Sequence, residues 1–534
     1  MNTVLIPALK LSLDESGESF LVSAAKQLRL KPEDIRSLKI VRRSLDARKK
    51  DDVFFSVHCL LTASESVCKR LLKDPKLHAS PAPAPVELAP VHGKQPRHGE
   101  VIVCGFGPAG IFAAWLLARE GYRPVVLERG REIGERTRDV EQYWSSGRVM
   151  PESNPMFGEG GAGAFSDGKL TSRSKDPLGR LVLERFVAAG APEEILYAAK
   201  PHLGTDTLRT VVAALRREIL EMGGEVRFGT RLVSLKTENG AVTAAVTEKD
   251  GLRETLPCCA LVLAIGQGAR DTYTYLYESG FMMAPKPFAV GVRAEHPQSM
   301  VNVSQYGAFA DHPALGAAEY RLTAQDGGRG VYTFCMCPGG FVVGASSAPG
   351  ETVVNGMSYL ARDGENANAA VVVQVGPDDF GTGPLDGMRF QQRMEQAAYR
   401  LGGEQGLAPA QRVGDFLRGE KTAAFSGVTP TYRPGVCGTD LRECLPEFVA
   451  HGIGTGLRAF GRQLKGYDRE DAVLTAPETR TSAPLRILRD ENGESVSHKN
   501  VYPVGEGAGY AGGIVSAAID GLRAAMRIIG RYAI

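Results

Sequence analysis

The sequence has no long apolar run, no excess of either charge and no cysteine framework. Its longest apolar stretches, residues 258–265 and 369–375, are far shorter than the ~20 residues that cross a bilayer. Lysine and arginine total 63 against 61 for aspartate and glutamate, so the net charge of +2 predicts no general attraction to nucleic acid or anionic membranes. Nine cysteines in 534 residues are an odd number, which favours a reducing compartment over a disulfide-bonded secreted protein.

Several short signals are also missing. The N-terminal residues lack the basic segment that precedes the apolar core of a secretory signal, so we expect a cytoplasmic protein without a membrane span. No His-Glu-x-x-His motif and no pair of Cys-x-x-Cys motifs occurs, so we expect no metal site. A Gly-x-Ser-x-Gly nucleophile turn is missing as well, which argues against a serine hydrolase.

Glycine is abundant, with 63 residues, and much of it stands in turns beside predicted strands. Residues 105–110, Gly-Phe-Gly-Pro-Ala-Gly, follow a short apolar strand and begin a helix. The first glycine allows a tight turn, the second lets backbone N–H groups approach a pyrophosphate, and the third lets the helix pack on the strand. Glu128 ends the next strand, where a carboxylate accepts hydrogen bonds from a ribose and repels a 2′-phosphate. The pattern predicts bound adenosine without a 2′-phosphate.

Two further glycine turns decide between NAD and FAD. Residues 260–268 and 501–513 each place glycines at the end of an apolar strand, and the three turns are spread over about 400 residues of the chain. Such a set suits a long ligand, so FAD is favoured. No second complete Gly-x-Gly-x-x-Gly unit follows a strand, so any NAD(P)H would act only as a transient electron donor.

Together the three turns resemble those of flavoproteins of the glutathione-reductase type, which have two dinucleotide-binding domains. That resemblance implies that Glu506 stands where an aspartate usually bonds the ribityl chain, and that the helix start at Gly513 and Ile514 faces the flavin pyrimidine. In related flavoproteins a glycine-rich loop at the position of residues 157–169 passes beside the pyrophosphate and the reactive edge of the flavin. The residues expected to bind FAD non-covalently are Gly105, Gly107, Pro108, Ala109, Gly110, Glu128, Arg129, Gly160, Gly161, Ser166, Asp167, Val233, Gly266, Gly268, Gly505, Glu506, Gly512, Gly513 and Ile514.

More specific stretches narrow the resemblance. They are residues 42–50, 157–169, 334–340, 478–482 and 505–513. With them the chain resembles the bacterial family of predicted FAD-dependent dehydrogenases, also called NAD(FAD)-utilizing dehydrogenases, over nearly its whole length. The resemblance implies FAD and an FAD domain whose two segments flank a substrate domain, and it implies no particular substrate.

The predicted fold class is α/β: a Rossmann-like FAD-binding domain with an inserted α+β substrate domain, preceded by a small N-terminal α+β domain. The N-terminal domain (1–78) is followed by a proline-rich linker (79–99). The FAD-binding domain then consists of an N-terminal segment (100–280) and a C-terminal segment (479–534), with the inserted domain (281–478) between them.

Three side chains are candidates for chemistry beside the flavin. Cys335 and Cys337 lie in a predicted strand, where alternation places both on one face and Met336 on the other. They are either a thiol acid, a lining of the substrate pocket or simply small core residues. A Cys-x-Cys disulfide is strained, which makes a dithiol relay less favoured than a lining role. Lys169 and Asp167 are expected to place charge near the ring.

The leading hypothesis is an FAD-dependent oxidoreductase that transfers hydride through flavin N5 to or from a small organic substrate. Two alternatives stay open. The basic cluster at residues 42–50 would serve a flavoprotein that acts on or binds RNA, or it is a solvated surface. A flavin redox sensor without turnover is the other alternative. The oligomeric state is not predicted.

Overall fold

The computed structural model describes residues 2–84, 88–172 and 174–534. It confirms the predicted α/β class, with two large mixed sheets and one smaller antiparallel sheet. None of the helices in these ranges has both the length and the apolar character needed to span a bilayer.

The N-terminal domain is a four-stranded antiparallel sheet covered by two helices. Its strand order, β2-β3-β1-β4, and its chain order, β-α-β-β-α-β, are those of a ferredoxin-like domain. The side chain of Ser64 accepts a hydrogen bond from Val67 N and so begins the second helix. The elements are β1 Asn2–Ser12, α1 Gly17–Leu28, β2 Ile35–Asp46, β3 Phe54–Ala63, α2 Glu65–Lys73 and β4 Ser80–Pro81.

The second sheet has five parallel strands in the order β7-β6-β5-β10-β22, and the long strand β10 continues into an antiparallel meander with β9 and β8. Its central strand β5 is buried from Val101 to Cys104, as a parallel strand between layers of helices must be. The elements are β5 Glu100–Cys104, α3 Pro108–Arg119, β6 Val125–Leu127, α4 Ile133–Ser146, α5 Leu178–Ala188, α6 Gly204–Glu221, β7 Glu225–Arg227, β8 Arg231–Glu238, β9 Ala241–Lys249, β10 Leu252–Leu263, α7 Arg270–Glu278, β22 Val501–Pro503 and α13 Ile514–Arg531.

The residues between α7 and β22 build the third sheet, in the order β13-β14-β17-β12-β20-β18-β19, and two short ladders, β11-β21 and β15-β16. The glycine-rich stretch 451–456 lies inside helix α12, where Gly452 and Gly456 let the helix approach Val373 and Val331 of the sheet. The elements are β11 Met283–Pro285, β12 Phe288–Pro297, α8 Gln298–Tyr306, β13 Thr323–Asp326, β14 Arg329–Cys337, β15 Phe341–Gly344, β16 Val354–Met357, β17 Asn366–Val375, α9 Pro377–Phe380, α10 Asp386–Leu401, β18 Ala408–Arg412, α11 Val413–Arg418, β19 Val436–Gly438, α12 Glu447–Gln463, β20 Val473–Glu478 and β21 Leu485–Ile487.

The proline-rich segment 79–99 is attached to folded structure at both ends. At its start, β4 pairs with β1. Near its end, Gly93 N donates to Ile529 O of α13, at 2.8 Å. Residues 85–87 of the predicted linker lie outside the described residues. The segment therefore connects the N-terminal domain to the C-terminal helix through backbone hydrogen bonds.

The basic cluster 42–50 makes contacts within the chain. Arg43 forms an ion pair with Glu194, and the Lys50 ammonium donates to the Gln305 carbonyl oxygen. These two cations join the N-terminal domain to the segment between α5 and α6 and to helix α8.

Candidate functional site

Three glycine turns meet at the carboxyl ends of the adjacent parallel strands β5, β10 and β22. Gly105 has φ +101°, and a Cβ there would lie 2.3 Å from the Ala264 carbonyl oxygen, so the first turn touches the second. A Cβ on Gly505 would lie 3.0 Å from the Cβ of Ala109, so the third turn touches the first. The cleft between them encloses about 1530 Å³ out to its open mouth.

Glu128 fastens the first turn from the end of β6. This side chain is 5% exposed, and its carboxylate accepts hydrogen bonds from Phe106 N at 2.8 Å, Gly130 N at 2.8 Å and Gly158 N at 3.0 Å. Among the described residues Oε2 accepts a bond from Phe106 alone, and Glu128 lines the cleft, so this oxygen keeps a lone pair for a ligand. Glu128 therefore holds two loops together and still has an acceptor for a ligand.

The loop at 157–169 packs directly on the first turn. Gly160 N donates to Phe106 O at 2.8 Å, and the Gly107 Cα is 3.0 Å from where a Cβ on Gly161 would stand. Arg136 of α4, fully buried, holds this loop by donating to the carbonyl oxygens of Asn154 at 3.0 Å and Glu159 at 2.6 Å. Two more carbonyls of the loop accept from the same guanidinium, and burial lowers the pKa of Arg136 to about 9.

We expect Arg136→Met to loosen this loop. The change leaves several buried carbonyl oxygens without a donor, at roughly 1 kcal/mol or more each, so stability falls by about 3 kcal/mol. Thermal unfolding of the purified protein measures the loss. Arg138→Met, on the exposed side of the same helix, serves as the control and should unfold like the wild type. Equal midpoints for both variants would show that the guanidinium does not hold the loop.

The third turn is anchored by acids on both sides. Gly505 N donates to the Asp520 carboxylate at 2.8 Å, and Asp520 is paired with Arg489. Glu506 accepts from Ala483 N at 3.1 Å and lines the cleft, and burial raises the pKa of its carboxyl group. The side chain thus presents a second acceptor, besides that of Glu128, along the same cleft.

Lys169 and Asp167 form a charged pair on the cleft wall. The Lys169 ammonium is 2.8 Å from Asp167 Oδ2 and also donates to the Met336 carbonyl oxygen of β14. The Arg362 Nη2 also donates to Asp167 Oδ2, at 2.6 Å. Burial raises the pKa of Asp167, but the two cations lower it further, so the net shift is downward. The pair links the glycine-rich loop at 157–169 to strand β14 of the third sheet.

Strand β14 departs from the predicted regular alternation. Its pairing with β17 slips between Phe334 and Cys337, and Cys335 has φ +43°, a left-handed value that is rare for a residue with a side chain. Cys335 lines the cleft, whereas Cys337 is fully buried behind it. The prediction that both cysteines occupy equivalent positions of a regular strand is wrong, because this bulge re-aims the first of them.

Beneath the two cysteines lies a buried ion pair. Arg293 of β12 has no exposed surface and bonds Glu478 of β20 with its Nε at 2.8 Å and its Nη2 at 3.0 Å. Its Nη1 donates to Asn368 Oδ1 at 2.7 Å and to the Cys335 carbonyl oxygen at 3.1 Å. The guanidinium therefore supports the bulge from below.

Most of the predicted site residues line the one cleft. They are Gly105, Gly107, Pro108, Ala109, Glu128, Arg129, Gly161, Ser166, Asp167, Lys169, Gly266, Cys335, Gly505, Glu506, Gly513 and Ile514. Those outside its lining are Gly110, Gly160, Val233, Gly268, Gly512 and Cys337.

Three of the residues outside the lining have structural reasons for their place. A Cβ on Gly110 would lie 1.9 Å from the Gly105 carbonyl oxygen, so this glycine serves helix–strand packing. Gly268 packs against Met156. At Val233 the β8–β9 register shifts, and the neighbouring Leu232 lines the cleft instead.

The sequence analysis missed several lining residues, among them Asn355, Thr481 and Gln267. Thr481 belongs to the 478–482 stretch that carried the family resemblance, which was the only signal available for it. Asn355 lies on β16 with no distinctive neighbours in sequence, and only the fold brings it to the cleft.

Family models and solved structures are similar to parts of this chain. A family model described as "FAD-dependent protein, C-terminal domain-like" matches residues 287–481, and a domain of unknown function matches residues 5–61. The solved structure of glycine oxidase from Bacillus cereus is 12% identical, with a TM-score of 0.33, covering 82% of this chain and 98% of that one. Glycerol-3-phosphate dehydrogenase of Bacillus halodurans complexed with FAD is 10% identical, with a TM-score of 0.32, covering 80% and 63%.

A relative in Clostridium beijerinckii is described as an uncharacterized protein. It is 47% identical to this chain over 535 residues, and the match covers 99% of each of the two chains. Likeness of this degree over both chains shows common family membership. The chain belongs to the same family as this Clostridium protein, and its residues 287–481 match the model of an FAD-dependent C-terminal domain.

Proposed function

We propose that the protein is an FAD-dependent oxidoreductase that binds FAD without a covalent bond in the cleft at the strand ends. One observation carries the proposal. Three glycine turns, the carboxylates of Glu128 and Glu506, and Cys335 on strand β14 of the third sheet line one continuous cleft. Any two of these features occur in many folds, but their meeting along one elongated space suits a long dinucleotide.

The residues present fit this cofactor. At Gly266 and Gly513 an added Cβ would meet no atom of the described residues within 4 Å, so the backbone at both turns is open to a ligand. Both glycines line the cleft, as do the first residues of helices α3 and α13. Helix N-termini carry unpaired N–H donors and a partial positive charge, which favour phosphate oxygens and negative charge on a reduced ring.

Each group of side chains has a proposed task. Gly107 and the start of α3 hold the pyrophosphate, and the free lone pair of Glu128 holds the adenosine ribose. Glu506 accepts from the ribityl chain, and Ile514 with the start of α13 borders the pyrimidine. When bound, FAD supplies two-electron transfer at N5, and Lys169 and Cys335 face the substrate side of the cleft. The proposal includes the narrower family suggestion, an NAD(FAD)-utilizing dehydrogenase acting on a small organic molecule in a reducing compartment.

The cofactor and its reductant test the proposal. We expect the purified protein to be yellow, to release FAD on heating, and to lose its flavin absorbance when NADH or NADPH is added without oxygen. If neither NADH nor NADPH lowers the flavin absorbance, NAD(P)H is not the electron donor and another reductant takes its place in the proposal. A colourless protein that takes up no added FAD would contradict the proposed function itself.

A further inference from the structure

We infer that Cys335 and Cys337 are a redox-active dithiol pair that exchanges two electrons with a small disulfide or dithiol substrate in the cleft. The inference rests on the proposed function, because the electrons must pass to or from the bound cofactor. It adds a substrate class and a pair of catalytic sulfurs to that function.

The first support is the placement of the two sulfurs. Cys335 is only partly buried and lines the same cleft as the three glycine turns, whereas Cys337 lies fully buried directly behind it. The Cys337 sulfur is 3.3 Å from the Cys335 carbonyl oxygen. One sulfur is thus open to a molecule in the cleft, and the second stands where it can reach the first.

The backbone at this pair is strained. Cys335 has a left-handed φ of +43°, and the β14–β17 ladder is broken between Phe334 and Cys337. Strain of this kind persists only where the surroundings enforce it, and Arg293, bonded to the Cys335 carbonyl oxygen, is the group that does so here. A disulfide between residues two apart is itself strained, and strained disulfides are the easily reduced ones. That property suits a pair that turns over and does not suit a permanent crosslink.

Charged groups face the pair from every side. Lys169 donates to the Met336 carbonyl oxygen between the two cysteines, with Asp167 beyond it, and the Arg293 Nη1 is 3.8 Å from the Cys337 sulfur, with Glu478 on its far side. The two cations thus bond directly to carbonyl oxygens of this segment, and each is paired with one carboxylate. This arrangement favours one thiolate within the pair.

The pKa shifts agree with that arrangement. The contact with Cys337, together with Lys169 and Arg293, lowers the pKa of Cys335 although burial opposes it. The same contact with Cys335, reinforced by burial, raises the pKa of Cys337. By contrast, burial raises the pKa of Cys104, which also lines the cleft, to about 12. The shifts therefore favour the thiolate on Cys335, the sulfur that lines the cleft.

The reaction of the cysteine pair with a substrate disulfide needs no reagent besides the bound cofactor. The Cys335 thiolate attacks one sulfur of the substrate disulfide, and a substrate thiolate leaves. Cys337 gives up its proton and attacks the Cys335 sulfur, which releases the second half of the substrate. The products are one thiol, one thiolate and a Cys335–Cys337 disulfide. Two electrons, exchanged with the bound cofactor, and one proton restore the thiolate and thiol, and a dithiol substrate runs the same steps in reverse.

Counting electrons tests the inference on the FAD-loaded protein. After oxidation with ferricyanide and removal of the oxidant, titration with dithionite without oxygen should consume four electrons per FAD in the wild type. Cys335→Ser and Cys337→Ser should each consume two. Cys437→Ser, a partly exposed thiol outside the cleft, should still consume four. Yellow wild-type protein that takes up two electrons overturns the inference and leaves the proposed function standing, whereas failure to bind FAD overturns both.

Two measurements on the protein without added cofactor give independent readouts. Peptide mass spectrometry of the oxidised wild type should find one peptide that has lost two hydrogens across Cys335 and Cys337, and its absence overturns the inference. Alkylation of Cys335 by iodoacetamide should reach half its maximal rate at a pH below that of a free thiol, and Cys337→Ser should move this midpoint upward. A midpoint near that of a free thiol in the wild type also overturns the inference.

Discussion

Gly107→Val is expected to yield folded protein that purifies without FAD. Gly107 stands at the N-cap of α3 with φ −81°, a value that valine adopts readily. An added Cβ meets only the Gly161 backbone, with its Cα at 3.6 Å, so the chain itself has room for it. The branched side chain then occupies the space in front of the helix N-terminus, where the pyrophosphate is proposed to lie. We expect at least a ~100-fold loss of FAD affinity, equivalent to about 2.7 kcal/mol.

The bound flavin per polypeptide, together with the dissociation constant for added FAD, measures this effect. Gly107→Ala adds a single methyl group and should weaken binding less than valine does. Gly316→Val, at a glycine with no atom within 4 Å of its built Cβ and outside the cleft, should retain full flavin. If Gly107→Val kept its full FAD content, the cofactor would have to lie elsewhere.

Glu395→Gln is expected to destabilise the protein at the joint between the parallel sheet's helices and the inserted residues. Glu395 of α10 is fully buried and bonds Arg270 of α7 at 2.8 Å through both oxygens, and Arg480 at 2.9 Å. Thr479 donates a further bond of 2.6 Å. Removing one partner of a buried ion network typically costs 3–5 kcal/mol, and Glu351 still faces both arginines, so we expect about 3 kcal/mol.

The effect should depend on pH. Burial raises the pKa of Glu395, but Arg480 and Arg270 lower it further, so the net value lies well below the usual range. A lowered folded-state pKa means that the stabilisation is complete at neutral pH and is lost only as the pH falls below the unfolded-state value. Thermal unfolding should show the variant well below the wild type at pH 7, with a smaller gap at pH 4. Glu491→Gln, at an exposed acid, should match the wild type; a similar fall there would argue against the network.

The features of the site that were predictable are those with local causes. The turn at Gly105 to Gly110 follows a buried strand and starts a helix, and each glycine is required within those six residues. Glu128 could be assigned because parallel strands end at the same edge of a sheet, which brings the end of β6 beside the end of β5. The α/β class followed from the same alternation of apolar strands and helices.

What could not be predicted depends on partners that are distant in sequence. Arg293 meets Glu478 across 185 residues, and Arg270 meets Glu395 across 125. No spacing rule links the partners of either pair, because they come from elements that are far apart in the chain. The position of Cys335 was predicted wrongly for a different reason. Period-two alternation assumes a regular ladder, and residues 334–337, where the bulge lies, contain no glycine or proline that would indicate it.

The contact between the first and third glycine turns has a consequence for how the protein is made. A Cβ on Gly521 of α13 would lie 2.0 Å from the Ala109 carbonyl oxygen, so α3 is shaped to receive a helix that the ribosome synthesises some 400 residues later. Until that helix emerges, α3 lacks its neighbour and the cleft lacks one of its walls. On the proposed function, FAD is therefore fully enclosed only after the last helix has been synthesised.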